Sequence, residues 1–379
     1  MDNIQVVHIK TKKEINTFCQ LPLKIYKNSK FYVPNFISDE KNLFNPHVNL
    51  YLNDTVVCPL LVYKNNKCVG RVYGLIQPYD ETKYKVKRLR FTCFDVINDQ
   101  DCFNALFNEL MVFAKTHKCQ KIIGPIGFND TEREGLLIEG FETMGTFVSN
   151  YNYPYYQKLL ENYGFVKDID WYQYRITREI SDEKRQKISR VAKRVLSRNN
   201  LKILEITSIK ETLMKYGYEM FDLINSEYEK LYGTVPIDKN IVDNLIKNFL
   251  LLLKKELFVI IVDQDEKMIG FCFCFPSISK ALIKSKGKLL PFGIFRVLKS
   301  IKKYDIVDFG LIAVREDYKN LGLNAVLMIN LEPALFQPRV KYVETNLMLE
   351  NNLEILSMVK HLTFTKYRTN RAFTIDVKE

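Results

Sequence analysis

No run of apolar residues in this 379-residue chain is long enough to span a bilayer. The longest, residues 248–253 (NFLLLL) and 257–262 (LFVIIV), are separated by Lys254, Lys255 and Glu256, whereas a membrane helix needs about 20 consecutive apolar residues. The opening stretch, MDNIQVVHIKTKKE, lacks the charged-then-apolar order of an export signal. The eight cysteines never fall in a C-x-x-C spacing, and the four histidines are dispersed. Local spacing therefore assembles no metal site. Cys272 and Cys274 alternate within a strand-like run, so both point to one face, as buried thiols do. Reduced thiols without an export signal make a cytoplasmic protein the expectation. Extensive disorder is excluded as well, because 47% hydrophobic and 13% aromatic residues are ample for packed cores.

Acidic side chains are in deficit. The 56 Lys and Arg against 44 Asp and Glu leave a net charge of +12, which asks for an anionic partner. A phosphorylated cofactor, an acidic carrier protein, lipid headgroups and nucleic acid all meet that requirement, and net charge does not choose among them. A chain of 379 residues also exceeds the usual size of a single core, so two domains are expected.

Apolar periodicity and turn signals give one order of elements twice. The first half reads as a strand (6–9), a helix (13–26), a hairpin (56–63 and 68–76) and a strand (88–96). A helix capped by Asp101 then reaches about His117, followed by a strand (121–123), a helix closed by Gly164-Phe165, and a strand (171–176). The second half begins near 201–206 and continues with helices at 209–231 and 239–254, then a hairpin (257–262 and 268–275). A strand–turn–helix and terminal strands follow, ending at 372–376. Both halves read as mixed α/β (α+β) units, each a mostly antiparallel sheet flanked by helices. The boundaries read from the sequence are 1–179, a basic linker helix at 180–200, and 201–379.

Residues 305–327, DIVDFGLIAVREDYKNLGLNAVL, carry the most chemistry. They read as a strand (306–314), a polar turn (315–321) and a helix opening at Gly322. N–H groups at a helix N-terminus lack intrahelical acceptors and sit at the positive end of the helix dipole, which suits an anion. Lys319 adds a charge, and Gly322 permits close backbone approach because it has no Cβ. A glycine there also serves an ordinary loop.

The stretch resembles the pyrophosphate loop of the GNAT superfamily of acyl-CoA N-acyltransferases, whose pattern Q/R-x-x-G-x-G/A follows a strand. Lys319, Asn320, Leu321, Gly322, Leu323, Asn324 and Ala325 keep the basic first position and the first glycine, while Asn324 replaces the second small residue. Downstream, LENNLEILSMVKHLTF is similar to the superfamily's N-x-x-A-x-x-L-Y-x-x-x-G-F. Asn352 and Phe364 hold its ends, Thr363 replaces the glycine, and Val359 stands where tyrosine is usual. Nearly the whole chain resembles a group of bacterial tandem-GNAT proteins. The residues carrying this include KFYVPNF (30–36), Gly70-Arg71, Gly124-Pro125, Asn129-Asp130, Gly140-Phe141, Asn152 to Tyr156 and KYRTNRAF (366–373).

The resemblance implies two tandem GNAT-like domains and an acyl-CoA co-substrate, acetyl-CoA or longer, with no metal. It implies acyl transfer to a primary amine, a small molecule or a lipid, with Ala313, Val314, the loop residues 319–325 and Asn352 holding the cofactor. The first half has only Ile97-Asn-Asp-Gln100 between its strand and helix, without glycine or a basic residue, so the cofactor is expected in the second half.

Amide formation from a thioester needs a base for the amine and a proton for the departing thiolate. In the superfamily, two splayed parallel strands receive the acyl arm; here they are expected at 311–314 and 343–348. Glu344 is the first candidate base, since a carboxylate inside an apolar strand is desolvated and its pKa rises. A structural ion pair with Arg371 or Lys366 is an equal alternative. Asp308 on the neighbouring strand is the second candidate, and Tyr318 is a candidate acid in place of the missing tyrosine.

Two basic stretches remain. In 180–203, Ser181 reads as an N-cap, with Ile188, Val191 and Val195 as the packed stripe of a helix bearing seven basic residues. It reads either as an interdomain helix or as a surface for phosphates. In 279–304, Phe292, Phe295, Leu298 and Ile301 recur at helical spacing between basic residues, which fits either peripheral contact with the inner membrane face or packing against the first half. The rival to an enzyme is a non-catalytic GNAT-like protein holding an anionic ligand or nucleic acid. Nucleic acid is disfavoured because no aromatic–basic stacking motif accompanies the charge. Oligomeric state is not legible.

Overall fold

The structure, a computed structural model, describes residues 2–177, 181–352 and 363–378. The chain forms two compact units. One comprises Met1–Tyr172 with Ser279–Val297 and Tyr367–Glu379; the other comprises Gln173–Ile278 with Leu298–Lys366. This division differs from the sequence boundaries. Residues 279–297 and 367–379 group with the first unit, and residues 173–179 and the basic helix expected as a linker group with the second.

In chain order the elements begin β1 (Ile4–His8), α1 (Lys12–Ile25), α2 (Ile37–Asn42), β2 (Val56–Lys64), β3 (Lys67–Ile76), α3 (Pro78–Tyr84) and β4 (Arg88–Val96). Next come α4 (Gln100–Thr116), β5 (Lys121–Gly124), β6 (Leu136–Glu139), α5 (Tyr155–Tyr163), β7 (Val166–Thr177) and α6 (Asp182–Arg198). The chain continues through β8 (Lys202–Ile203), α7 (Ile209–Tyr228), α8 (Lys239–Leu252), β9 (Phe258–Val262), β10 (Met268–Pro276), α9 (Ser279–Ser285) and α10 (Gly293–Lys302). It ends with β11 (Ile306–Val314), α11 (Leu323–Leu335), β12 (Tyr342–Glu344), β13 (Met348–Leu349) and β14 (Thr363–Asp376).

The first unit orders its strands β1-β2-β3-β4-β5-β14, with β6 beside β14. Each of these pairings is antiparallel except β4 with β5. The helix α4 buries Cys102, Phe103, Leu106, Phe107 and Leu110 against Phe91 and Phe94 of β4, an apolar stripe at helical spacing meeting a strand face. Its N-cap is Asp99, whose carboxylate accepts from the Cys102 N–H at 3.0 Å. Asp101, expected as the cap, lies in the first turn, because Asp99 has the extended backbone a cap requires.

The second unit orders its strands β8-β9-β10-β11-β12-β7, with β11 and β12 parallel and joined through α11, as β4 and β5 are joined through α4. Its core lies between the sheet and α11, and Val195 and Leu196 of α6 pack against it. On α6 the buried residue is Ala192, and Val191 faces solvent. Arg185 ties α6 to α11 through Glu332 at 2.7 Å. This helix is part of a core: Val195 packs as expected, while Ala192 takes the place expected for Val191.

Candidate functional site

In the second unit the parallel strands β11 and β12 pair at three positions, Ile306 with Tyr342, Val307 with Val343 and Asp308 with Glu344, and then part. β12 ends there while β11 runs on to Val314. Thr345 turns toward the end of β7: its N–H donates to the Tyr174 carbonyl and its hydroxyl accepts from the Tyr174 N–H, both at 2.9 Å. The opened stretch of β11 meets side chains instead. Asn346 Nδ2 donates to the Gly310 carbonyl at 3.2 Å, and the Tyr228 hydroxyl donates to the Ile312 carbonyl at 3.1 Å.

A β-bulge lies in this stretch. Cys272 pairs with Ile312 but Cys274 with Phe309, so β11 carries one extra residue around Gly310 and Leu311. Bulges bend a strand and re-aim its backbone groups, and they gather beside active sites. Gly310 is required by packing: a Cβ there would lie 2.4 Å from the Phe273 ring and 2.6 Å from its carbonyl oxygen. Gly310→Ala should therefore lower stability by roughly 1–3 kcal/mol, measured by denaturant unfolding. A neutral result would show that the bulge tolerates a side chain.

The last paired position holds two carboxyl groups, Asp308 and Glu344, both buried. Val307, Phe309 and Val343 belong to the core beneath α11, so by strand alternation Asp308 and Glu344 project from the opposite face. Glu344 Oε1 accepts from Arg175 Nε and Nη2 at 3.0 and 2.9 Å. Arg175 is thus its partner; Arg371, one of the expected alternatives, binds Asp170 at 2.7 and 2.9 Å. Asp308 faces Phe275 across the β10–β11 pair, and Phe275 packs edge-on to Phe273 at 5.1 Å between ring centres. Among the described residues neither Asp308 oxygen finds a well-formed hydrogen bond. Burial, and then the charge of Glu344, push its pKa well above the usual aspartate range, with only partial relief from the Ser277 hydroxyl.

At the far end of β11 the chain makes a 3-10 turn, Glu316–Leu321, and enters α11 through Gly322. Gly322 has φ 72°, and among the described residues no side chain caps the helix and nothing lies within 4 Å of where its Cβ would stand. Lys319 behaves differently from expectation. Its ammonium is held by Glu227 and Glu316, each at 2.6 Å. Burial works against its charge, but the two carboxylates outweigh that and hold its pKa above the usual lysine value. Its charge is already balanced, so the loop's capacity for an anion rests on backbone N–H groups at the start of α11.

The first unit fills both corresponding places. Where α11 opens on Gly322, α4 opens on the Asp99 carboxylate, itself bound by Lys64 at 2.6 Å. At the last paired position of β4 and β5 stands Arg90, which is fully buried, with Asp80 accepting from its Nε and Nη2 at 2.8 and 2.5 Å. The same scaffold thus has an occupied helix end and a paired charge in one unit, and an open helix end and an acid pair in the other.

No family model matches the chain. It is 24% identical over 377 residues to Protein YghO of Escherichia coli (strain K12), covering 96% of this chain and 93% of that protein. It is 21% identical over 383 residues to the bacterial ceramide synthase of Caulobacter vibrioides (strain NA1000 / CB15N), covering 98% and 97%. Among solved structures, a tandem GNAT protein from the clavulanic acid biosynthesis pathway superposes with a TM-score of 0.55 at 11% identity, covering 100% of this chain and 99% of that one. The chain has the tandem GNAT fold.

Within the tandem GNAT fold the expected residues fall in four places. Asp308 and Glu344 meet at the parting of the strands. Ala313 and Val314 end β11, and Lys319 to Ala325 form the turn and the first residues of α11. Tyr318 is not brought to the acid pair: it lies past the end of β11, which extends roughly 20 Å beyond Asp308, and its ring packs beside Arg315 against the α11 core. The Asn352 N–H donates to the Leu349 carbonyl at 3.0 Å. Val359 lies outside the described residues. Sequence reading passed over Arg175, Asn346, Tyr228 and Glu227, which have no local motif. Gly310 did leave a signal, since a glycine inside a strand pattern marks a bulge.

Proposed function

We propose that the second unit is an N-acyltransferase that moves an acyl group from a CoA thioester to a primary amine, with a long-chain or lipid amine as the acceptor class. The observation that carries this reading is the combination on β11: an acid pair at one end of an opened, bulged strand edge and an uncapped helix N-terminus at the other. The tandem GNAT fold supports acyl transfer, and the Caulobacter relative named a ceramide synthase supports the acceptor, since a ceramide is an amide of a long-chain amine. The phenylalanine-lined face at Asp308 suits apolar chains.

Asp308 takes the proton of the attacking amine. Its burial makes it a stronger base than an exposed carboxylate, whereas Glu344 is committed to Arg175. Glu344 is the positioning residue, and its charge keeps Asp308 avid for a proton. In this reading Tyr228, whose hydroxyl donates to the Ile312 carbonyl at 3.1 Å, protonates the leaving thiolate. The start of α11 receives the CoA phosphates, with Gly322 leaving the approach clear.

Thermal melting with CoA, acetyl-CoA and palmitoyl-CoA tests the binding step. A ligand at a hundredfold excess over its Kd stabilises by about 2.7 kcal/mol. Gly322→Glu places a bulky anion in the open space over the helix end and should abolish the shift while the unliganded melt stays cooperative. If that variant shifts as the native protein does, the loop assignment is wrong. A native shift without turnover of any amine would favour a binding protein over an enzyme.

A further inference from the structure

Large apolar side chains exposed among the described residues are mostly scattered, with one concentration: Leu290 is 79% exposed, Phe292 67%, Phe295 66% and Leu298 48%. Phe292 and Phe295 are the two exposed phenylalanines among the described residues. The spacing 292, 295, 298 continues one ridge along α10, while Gly293 and Val297 are buried beneath it. The ridge is also held in place. The Ile37 N–H donates to the Gly287 carbonyl at 3.0 Å, Arg296 Nη1 to the Lys284 carbonyl at 3.0 Å, and the Ser300 hydroxyl to the Ser277 carbonyl at 2.9 Å. The apolar tips are therefore presented on a fixed backbone.

Their surroundings are of one sign. Residues 279–304 contain eight Lys or Arg and no Asp or Glu. Lys284, Lys286, Lys288, Lys299, Lys302 and Lys303 are all exposed. We infer that this ridge docks the protein onto an anionic lipid surface, with Leu290, Phe292, Phe295 and Leu298 entering the headgroup–acyl boundary and the lysines lying against the headgroups. Interfacial helices combine an apolar face with a cationic margin in this way. The helix α10 is ten residues long, about half of what a span needs, so this ridge suits the surface of a bilayer and not its interior. Nucleic acid would engage the lysines but leave the phenylalanine and leucine tips in water. The inference stands apart from the catalytic reading, although a lipophilic amine would be met at the same surface.

The test is co-sedimentation of the full chain with vesicles of phosphatidylcholine alone and with an added anionic phospholipid. Binding should require the anionic lipid and weaken as salt rises. Lys299→Glu with Lys302→Glu should reduce it at least fivefold per residue, since removing one basic contact at a membrane surface costs about fivefold. Phe292→Ser with Phe295→Ser should reduce it by roughly tenfold or more per ring, with an unchanged melting curve because both rings are exposed. Equal binding by the phenylalanine variant, or none by the native chain at low salt, overturns the inference. So does a native dimer that the variant converts to monomer on size exclusion, which would make the ridge a protein interface.

Discussion

Asp308→Asn should reduce turnover by about 10²–10⁴-fold, the usual contribution of a positioned general base, while leaving the protein as stable as the native chain or more so. Both halves follow from the same burial. Asp308 holds its proton more tightly in the folded chain than an unfolded aspartate does, because burial and the charge of Glu344 oppose ionisation. The folded state therefore binds more protons between the ordinary aspartate pKa, about 3.9, and the higher folded value. Stability falls as pH rises through that interval and is level above it. Asparagine keeps the shape and cannot ionise, so the variant should lose this slope and melt higher above the interval. In the native chain the acid limb of kcat/KM should lie above the range of an ordinary carboxylate, and it should vanish in the variant. Glu344→Gln separates the two roles. With that charge removed, the Asp308 pKa falls, so the acid limb should move to lower pH rather than disappear. Turnover of Asp308→Asn within a few-fold of native would remove Asp308 from the reaction.

The contrast between these residues explains what the sequence could and could not reveal. Periodicity located the hairpins, α4, β11 and α11, because each is set by local rules: alternation, a cap, a glycine after a polar turn. The strand–turn–helix around Gly322 was legible for the same reason, as the glycine and the strand before it are contiguous. Glu344 and Asp308 stood out because carboxylates inside apolar strands violate the pattern. Their partners did not stand out, since Arg175 lies 169 residues from Glu344 and no local rule joins them. The opposite error befell Lys319. Its position in the loop suggested a free charge, but Glu227, on a helix far back in the chain, neutralises it together with Glu316. The grouping of residues 279–297 with the first unit is likewise a long-range matter, fixed by contacts such as that between Ile37 and Gly287.

The largest effect on stability belongs to the first unit, at Arg71, where sequence showed only a Gly-Arg dipeptide. Arg71 on β3 is buried between Glu40 of α2 and Asp95 of β4, donating through Nη1 to Glu40 and through Nε to Asp95 at 2.7 Å. Its Nη2 also reaches Glu40 at 3.3 Å, its Nη1 donates to the Phe18 carbonyl at 3.0 Å, and it lies over the Phe18 ring. Asp95 in turn accepts from the Tyr26 hydroxyl at 2.7 Å, and the Tyr26 oxygen pairs with the Tyr156 hydroxyl at 2.9 Å, so one guanidinium anchors α1, α2, β3, β4 and α5 together. Arg71→Met preserves much of the apolar stem but strands two carboxylates in the interior, which costs about 3–5 kcal/mol. Arg71→Lys keeps the charge yet cannot address both carboxylates with a planar fork, so it should recover only part of the loss. Trp171, the single tryptophan, is buried within the first unit and reports its unfolding directly by fluorescence in denaturant. Replacing Glu40 and Asp95 by their amides in the Arg71→Met background should restore much of the stability, because the penalty lies in the unpaired charges and not in the missing cation. A loss below about 1 kcal/mol for Arg71→Met, the worth of an exposed pair, would mean that water reaches these carboxylates and that the network does not organise the unit.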